Sequence, residues 1–270
     1  MAEQSKFARL LLTGAAGGLG KVLRPRLAAF ADILRVSDKV GLAAASNAEE
    51  VVICDLADKT AVHNLVDGVD AVVHFGGISL EDRFEPILQS NIIGVFNLYE
   101  AVRKHAVKRV VFASSNHVIG FYKQSEEIDT DAPMRPDSLY GVSKCFGENL
   151  SRFYFDRYGI ETVCLRIGSS FPTVKDRRML ATYLSYGDLA ELVRCALFAP
   201  QVGHTVVFGT SDNSLSWWDN AKATDIGFRP KDTSDTQREE VEAANPPLAP
   251  DHPARVFQGG AFVCSGPFDD

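Results

Sequence analysis

The sequence predicts an α/β protein built on a doubly wound parallel sheet. Three observations carry that prediction. Short apolar runs of strand length alternate along the chain with longer segments of helical spacing. Those runs are nearly continuous in apolar residues, as strands covered on both faces are. The first run ends in a glycine-rich turn that leads straight into a helical segment.

Taken in order, strands are expected at 8–13, 33–36, 51–54, 71–75, 109–113, 162–167 and 205–208. Helices are expected between them at 19–30, 61–66, 84–104, 139–158 and 188–198. The chain shows no internal repeat and no linker, so a single domain over 1–270 is predicted. From about residue 230 the pattern changes: Pro246, Pro247, Pro250 and Pro253 sit among many charges. This tail reads as loops with one short strand near 261–264.

Composition narrows the function classes. With 46% hydrophobic and 23% charged residues, the chain can bury a sizeable core. No stretch reaches the ~18 apolar residues that a membrane span needs, and the first residues lack a signal-peptide pattern. The net charge of −7 argues against nucleic acid or an anionic membrane as partner. A small acidic substrate would then need a local positive site. The five cysteines are scattered and odd in number, which favours reduced thiols and a cytoplasmic setting. The six histidines form no metal-ligand pattern, and no metal is expected.

The turn after the first strand is Thr13-Gly14-Ala15-Ala16-Gly17-Gly18-Leu19-Gly20. Its glycines suit a dinucleotide site: one for the tight turn, one for close approach to a pyrophosphate, one for helix–strand packing. The helix N-terminus aims unpaired N–H groups at the phosphates. The sheet is thus of the Rossmann type. Asp38 ends the second strand about twenty residues on, where a carboxylate accepts from the adenosine ribose hydroxyls and repels a 2′-phosphate. NAD is favoured over NADP, although Lys39 beside it works the other way. After the third strand, Asp55 of Cys54-Asp55-Leu56 either meets the adenine amino group or caps the next helix.

Tyr140-Gly141-Val142-Ser143-Lys144 opens an amphipathic helix, and residues four apart share a helix face. A phenol of pKa ~10 becomes a base near neutrality only if phenolate is favoured by ~3–4 kcal/mol. A close ammonium and a nicotinamide cation together would supply that. The fifth strand ends in Ser114-Ser115. Ser115 either hydrogen-bonds the reacting hydroxyl or only caps the strand, and Ser114 is expected to satisfy nearby backbone.

Together, TGxxGxxG, the acid after strand two, the serine after strand five and YxxxK resemble the extended short-chain dehydrogenase/reductase superfamily over roughly residues 8–230. The resemblance implies Tyr140 as acid/base, Lys144 as the group that lowers its pKa and binds the nicotinamide ribose, and Ser115 as substrate-orienting. Asn91 matches a position where relatives carry an Asn near the catalytic groups. The implied cofactor-binding set is Gly14, Gly17, Gly18, Leu19, Gly20, Asp38, Asp55, Leu56, Gly76, Asn91 and Ile167, with Tyr140 and Lys144. Residues up to about 165 would form the NAD-binding core, with 166–270 a small C-terminal region that adds the substrate cleft.

Two departures point away from nucleotide-sugar enzymes. Only about twenty residues separate Arg166-Ile167-Gly168 from the helix expected near Asp188, too few to grip the nucleotide of a sugar donor. Ser115 also continues as Asn116-His117, which adds polar groups where substrate hydroxyls would sit. His117 is either such a contact or a satisfied structural histidine. The loop Lys175-Asp176-Arg177-Arg178 either overhangs the cleft or is a solvated charge run. In the first case one arginine, Arg178 by preference, would hold a carboxylate.

The segments HFGGIS (74–79), ASSNH (113–117), LYGVSKCFGENL (139–150), RIGSS (166–170), RRML (177–180), SWWDN (216–220) and FQGGAFV (257–263) resemble the uronate dehydrogenases. That resemblance implies NAD-dependent oxidation of free D-galacturonate or D-glucuronate at C1 to the aldarolactone. Ser79, Ser115, Asn116, His117, Ser169 and Arg178 would be substrate contacts. A homo-oligomer is implied, paired through the helices at 84–104 and 139–158. The alternatives are a nucleotide-sugar epimerase or reductase of the same superfamily, or a non-catalytic dinucleotide sensor.

Overall fold

Strands β1 (Phe7–Thr13), β2 (Ala31–Asp38), β3 (Glu49–Ile53), β4 (Ala71–His74), β5 (Arg109–Ser115), β6 (Glu161–Ile167) and β7 (His204–Gly209) form one sheet. The computed structural model that shows this describes residues 6–266 and Phe268. The strand order is β3-β2-β1-β4-β5-β6-β7, with every neighbouring pair parallel. All seven expected strands are present, with ends moved by a few residues. The order reverses direction between β1 and β4. In such sheets a crevice opens there beyond the carboxyl ends of the strands, and every predicted site residue on a strand end faces that side.

The helices are α1 (Gly18–Leu27), α2 (Lys59–Val66), α3 (Phe84–Ile87), α4 (Gly94–Lys104), α5 (Leu139–Tyr158), α6 (Met179–Thr182), α7 (Tyr186–Phe198), α8 (Arg238–Ala244) and α9 (Pro253–Val256). Alternation along each strand sorts the core into two layers. Leu10 and Leu12 pack with Leu23 and Leu27 of α1 and with Leu189, Leu192 and Val193 of α7. Leu11 points the other way, to Val62 and Leu65 of α2, Leu98 and Val102 of α4, and Tyr154 of α5. Each such leucine, fully buried, contributes about 1.5–3 kcal/mol of burial.

The helix expected at 84–104 is interrupted. Between α3 and α4 the turns of Leu88–Ile93 widen to a π-helix, which turns the buried Asn91 inward. The helix expected at 19–30 leaves α geometry at Leu27 and ends in a 3₁₀ turn over Ala28–Phe30, just beyond Pro25.

The strand expected near 261–264 is absent. Gly260–Cys264 is a 3₁₀ turn laid over the cleft, with Phe262 stacked on His117 at 3.7 Å. A strand needs a free edge to pair with, and this segment sits above the strand ends, away from both edges of the sheet. The tail is tied on farther back, where Gly259 N donates to Gly120 O (2.8 Å) and Gln124 N to Val256 O (2.8 Å). Among the described residues, no helix is long and apolar enough to cross a membrane, and no group of metal-ligating side chains converges.

Candidate active site

A cavity of about 650 Å³ runs along the strand ends from Asp38 to Arg178. At one end lies the glycine turn. Gly14 has φ +73°, and a Cβ there would lie 2.5 Å from the Phe75 carbonyl. A Cβ at Gly20 would run into the Gly14 carbonyl, so helix and turn meet only with glycine there. Gly17 caps α1 without a side chain, which leaves the first N–H groups of this ten-residue helix open to an anion. Gly17, Gly18, Leu19, Asp38, Asp55, Leu56, Gly76 and Ile167 all line the cavity. Asp38 is held at its mouth by a hydrogen bond from Ala16 N (3.0 Å). Asp55 does not cap the next helix. That role falls to Asp58, whose Oδ1 accepts from Thr60 N (2.9 Å) and Ala61 N (3.0 Å). The donor set therefore fits a dinucleotide: free amides for the pyrophosphate, and a carboxylate for the ribose.

In the middle, α5 carries Tyr140 and Lys144, one turn apart, into the same cavity. Lys144 Nζ lies 5.6 Å from the Tyr140 ring centroid and donates to Ala113 O at 2.8 Å. Burial moves both groups. It pulls the Lys144 ammonium down to about 8 and pushes the Tyr140 phenol up to about 12, against the opposing pull of the Ser115 hydroxyl. In this structure the phenol therefore sits above its ordinary value, opposite to the shift a base requires. Asn91 does not line the cavity. Its Nδ2 donates to Ile78 O (3.0 Å) and Ser143 Oγ (2.9 Å), while its Oδ1 accepts from Ile78 N (2.8 Å), tying the cavity wall to α5.

At the far end Ser79, Ser115, Asn116, His117, Ser169 and Arg178 meet. Arg178 Nε donates to Gln258 O (2.6 Å) and Nη1 to Ser169 Oγ (3.3 Å). Neighbouring groups orient the Asn116 amide, whose nitrogen donates to Ile167 O (3.0 Å) and whose oxygen accepts from Arg178 Nη2 (2.6 Å). Among the described residues no carboxylate pairs with Arg178, and burial lowers its pKa to about 10. Arg177 turns outward instead, to Asn245 O (2.5 Å) and Glu242 O (2.8 Å). The two neighbouring arginines thus divide into one structural and one facing the cavity.

Comparison with known proteins agrees with this geometry. Residues 10–199 match the NAD dependent epimerase/dehydratase family. The uronate dehydrogenase of Pseudomonas putida is 62% identical over 97% of this chain and 98% of its own. The chain belongs to this family, in its uronate dehydrogenase branch. Membership makes it an NAD-dependent oxidoreductase. The crystal structure of a glucuronic acid dehydrogenase from Chromohalobacter salexigens superposes with a TM-score of 0.94 at 52% identity, covering 96% of this chain and 98% of that one. A mutant of the Agrobacterium tumefaciens uronate dehydrogenase, complexed with NAD, gives 0.94 at 51% identity, covering 97% and 99%.

Within this family member, several residues of the site escaped sequence reasoning. Glu81 closes the start of α5, accepting from Leu139 N (3.0 Å) and Tyr140 N (2.8 Å). Glu148, one turn after Lys144, is buried in a double hydrogen bond with Arg166 (3.0 and 2.9 Å). It also accepts from Ser114 Oγ (2.5 Å), so Ser114 serves a carboxylate and not the expected backbone. Gln258 links Trp218 Nε1 (2.8 Å) to the backbone that holds Arg178. Asp137 bonds His117 Nδ1 at 2.7 Å. The i, i+4 spacing of Lys144 and Glu148 was a local signal for one of these. The others are brought in from distant loops, and local patterning is silent about them.

Proposed function

We propose that this chain oxidises a free hexuronate, D-galacturonate or D-glucuronate, at C1 to the aldarolactone, with Tyr140 as the base. The observation that carries the reading is Arg178. A guanidinium turned into a cavity with no carboxylate of its own is an unpaired positive charge, in a protein of net charge −7. Its fork suits a carboxylate held in two parallel hydrogen bonds. The remaining polar groups beside it, Ser79, Asn116, His117 and Ser169, are hydroxyl partners of the kind a sugar ring needs.

The uronate carboxylate lies on Arg178, with C1 toward Tyr140. NAD, when bound, would supply the hydride acceptor and a positive charge. Lys144 adds its ammonium one helical turn from Tyr140, and Ser115 hydrogen-bonds the reacting hydroxyl. Tyrosinate 140 takes the proton of the C1 hydroxyl as the C1–H bond gives up its electron pair, which leaves the lactone carbonyl. The side chains position and deprotonate, and proximity supplies the rest of the rate.

The reading extends to the protein's setting. The described cysteines carry free thiols, in keeping with the cytoplasm. Phe96 of α4 and Val142 and Phe153 of α5 leave apolar surface exposed on the two helices expected to pair with a second copy. Sedimentation equilibrium tests that pairing directly.

The deciding experiment follows NADH absorbance when purified protein meets NAD and D-galacturonate or D-glucuronate, beside D-galactose and UDP-galactose. Fast reduction with the uronates alone is expected. Signal only with a neutral sugar or a nucleotide sugar removes the carboxylate clamp from the reading. NAD binding without turnover of any sugar would mean a sensor.

A further inference from the structure

His117 lines the cavity, and its protonation pattern is set by a chain of hydrogen bonds that begins at a helix cap. Ser138 caps α5: its Oγ accepts from Gly141 N at 3.0 Å. With one lone pair so engaged, the Ser138 hydroxyl hydrogen goes to Asp137 Oδ1, 2.8 Å away. The second Asp137 oxygen, Oδ2, lies 2.7 Å from His117 Nδ1. A carboxylate only accepts, so Nδ1 carries the proton. Nε2, on the opposite edge of the ring, has no hydrogen-bond partner among the described residues and is not sealed from the cavity that His117 lines.

The carboxylate cannot move to another partner. The Asp137 side chain is fully buried, and a Cβ on either Gly120 or Gly259 would collide with it. Those two backbones close on each other through Gly259 N to Gly120 O at 2.8 Å. Phe262, stacked on the ring at 3.7 Å, holds its plane. Burial lowers the His117 pKa even with the Asp137 carboxylate opposing it, a shift toward the neutral ring.

We propose that Asp137 is a positioning residue which, with Ser138, locks His117 in the Nδ1–H tautomer, so that Nε2 presents a lone pair to one donating hydroxyl of the bound sugar acid. The inference rests on the uronate reading for the identity of that hydroxyl's owner. It assigns His117 the part of acceptor, complementary to Arg178, which only donates.

The same network makes Asp137→Asn informative. The Ser138 hydroxyl points its hydrogen at residue 137, so the amide oxygen is expected on that side with the NH₂ facing His117. The NH₂ donates to Nδ1, the imidazole switches to the Nε2–H tautomer, and the sugar hydroxyl loses the acceptor for its own hydrogen and must turn a lone pair to the ring instead. Adding Ser138→Gly removes the hydroxyl that fixes the amide. Glycine is a tolerated N-cap. The amide then turns, and the Nδ1–H form returns.

The experiment is long-range ¹H–¹⁵N NMR of the histidine rings in the whole protein with NAD bound, beside uronate kinetics. The parent protein is expected to show Nδ1–H at His117, Asp137→Asn to show Nε2–H, and the double variant to regain Nδ1–H. kcat/KM for the uronate should fall roughly 10- to 100-fold in the single variant, the loss expected for a hydrogen bond left unmade, and recover in part in the double. A parent ring in the Nε2–H or doubly protonated form overturns the proposal. So does a single variant that keeps Nδ1–H, or one whose tautomer switches while kcat/KM stays within twofold. Absence of uronate turnover in the parent is seen before any variant is made. That result would overturn the substrate reading and the acceptor role together, while the ring spectra still read the tautomer lock by itself.

Discussion

Lys144 donates its Nζ to the carbonyl oxygen of Ala113 at 2.8 Å, and no carboxylate pairs with it among the described residues. A buried ammonium with a neutral partner costs stability as long as it stays charged, and its pKa falls from 10.5 to about 8. The folded protein thus releases this proton before the unfolded chain does. Below about pH 8 both states are protonated and the cost is fully present. Between about 8 and 10.5 the unfolded state binds more protons, so this group's contribution rises with pH. Lys144→Met is expected to abolish turnover and yet to stabilise the fold by about 3 kcal/mol near neutrality. Urea denaturation from pH 7 to 10 tests this. A gain that does not shrink as the pH rises would mean that the ammonium is not the source.

Tyr140→Phe removes one oxygen and leaves the ring and its neighbours in place. Loss of the base should lower kcat by about 10²–10⁴-fold, the usual span for general base catalysis, while calorimetry still detects NAD binding. Near-normal kcat in this variant would transfer the proton-accepting role to another group.

Arg178→Ala should reduce kcat/KM for a uronate by roughly 10- to 150-fold, corresponding to ~1.5–3 kcal/mol for a charge-assisted pair. Arg178→Lys should restore little of it, because an ammonium lacks the planar fork that meets a carboxylate in two bonds. Steady-state kinetics at low salt measure both. Equal losses for a uronate and a neutral sugar would point to a structural arginine.

Glu148 and Arg166 form a salt bridge at 2.9 Å with side chains 2% and 3% exposed. Glu148→Ala leaves a guanidinium buried without its counter-charge, at a cost of about 3–5 kcal/mol. A large fall in Tm is expected, whereas Arg103→Ala at the half-exposed Arg103–Glu100 pair should shift it little. Calorimetry of the two variants side by side separates buried from surface pairing.

The layered fold was legible because it rests on local rules. Leu10, Leu11 and Leu12 alternate between two cores simply because a strand alternates its faces, and Gly14 and Gly20 announce a turn that only glycine can make. The Tyr140–Lys144 pair was legible for the same reason, since four residues make one helical turn. The π-turn at Leu88–Ile93 carried no such mark. It is stabilised by what Asn91 reaches, Ile78 and Ser143, which lie 13 and 52 residues away in sequence.

The succession of strands and helices along the chain and the glycine cradle could be read from sequence because each depends on periodicity or on conformations that few residues adopt. The partners of Arg177, the hold of Asp137 on His117 and the turn bearing Phe262 over the site came from tertiary structure alone. It also decided the direction of the Tyr140 and Lys144 shifts. Those outcomes depend on burial and on partners far along the chain, where a change in the surrounding dielectric or one distant carbonyl outweighs any local preference.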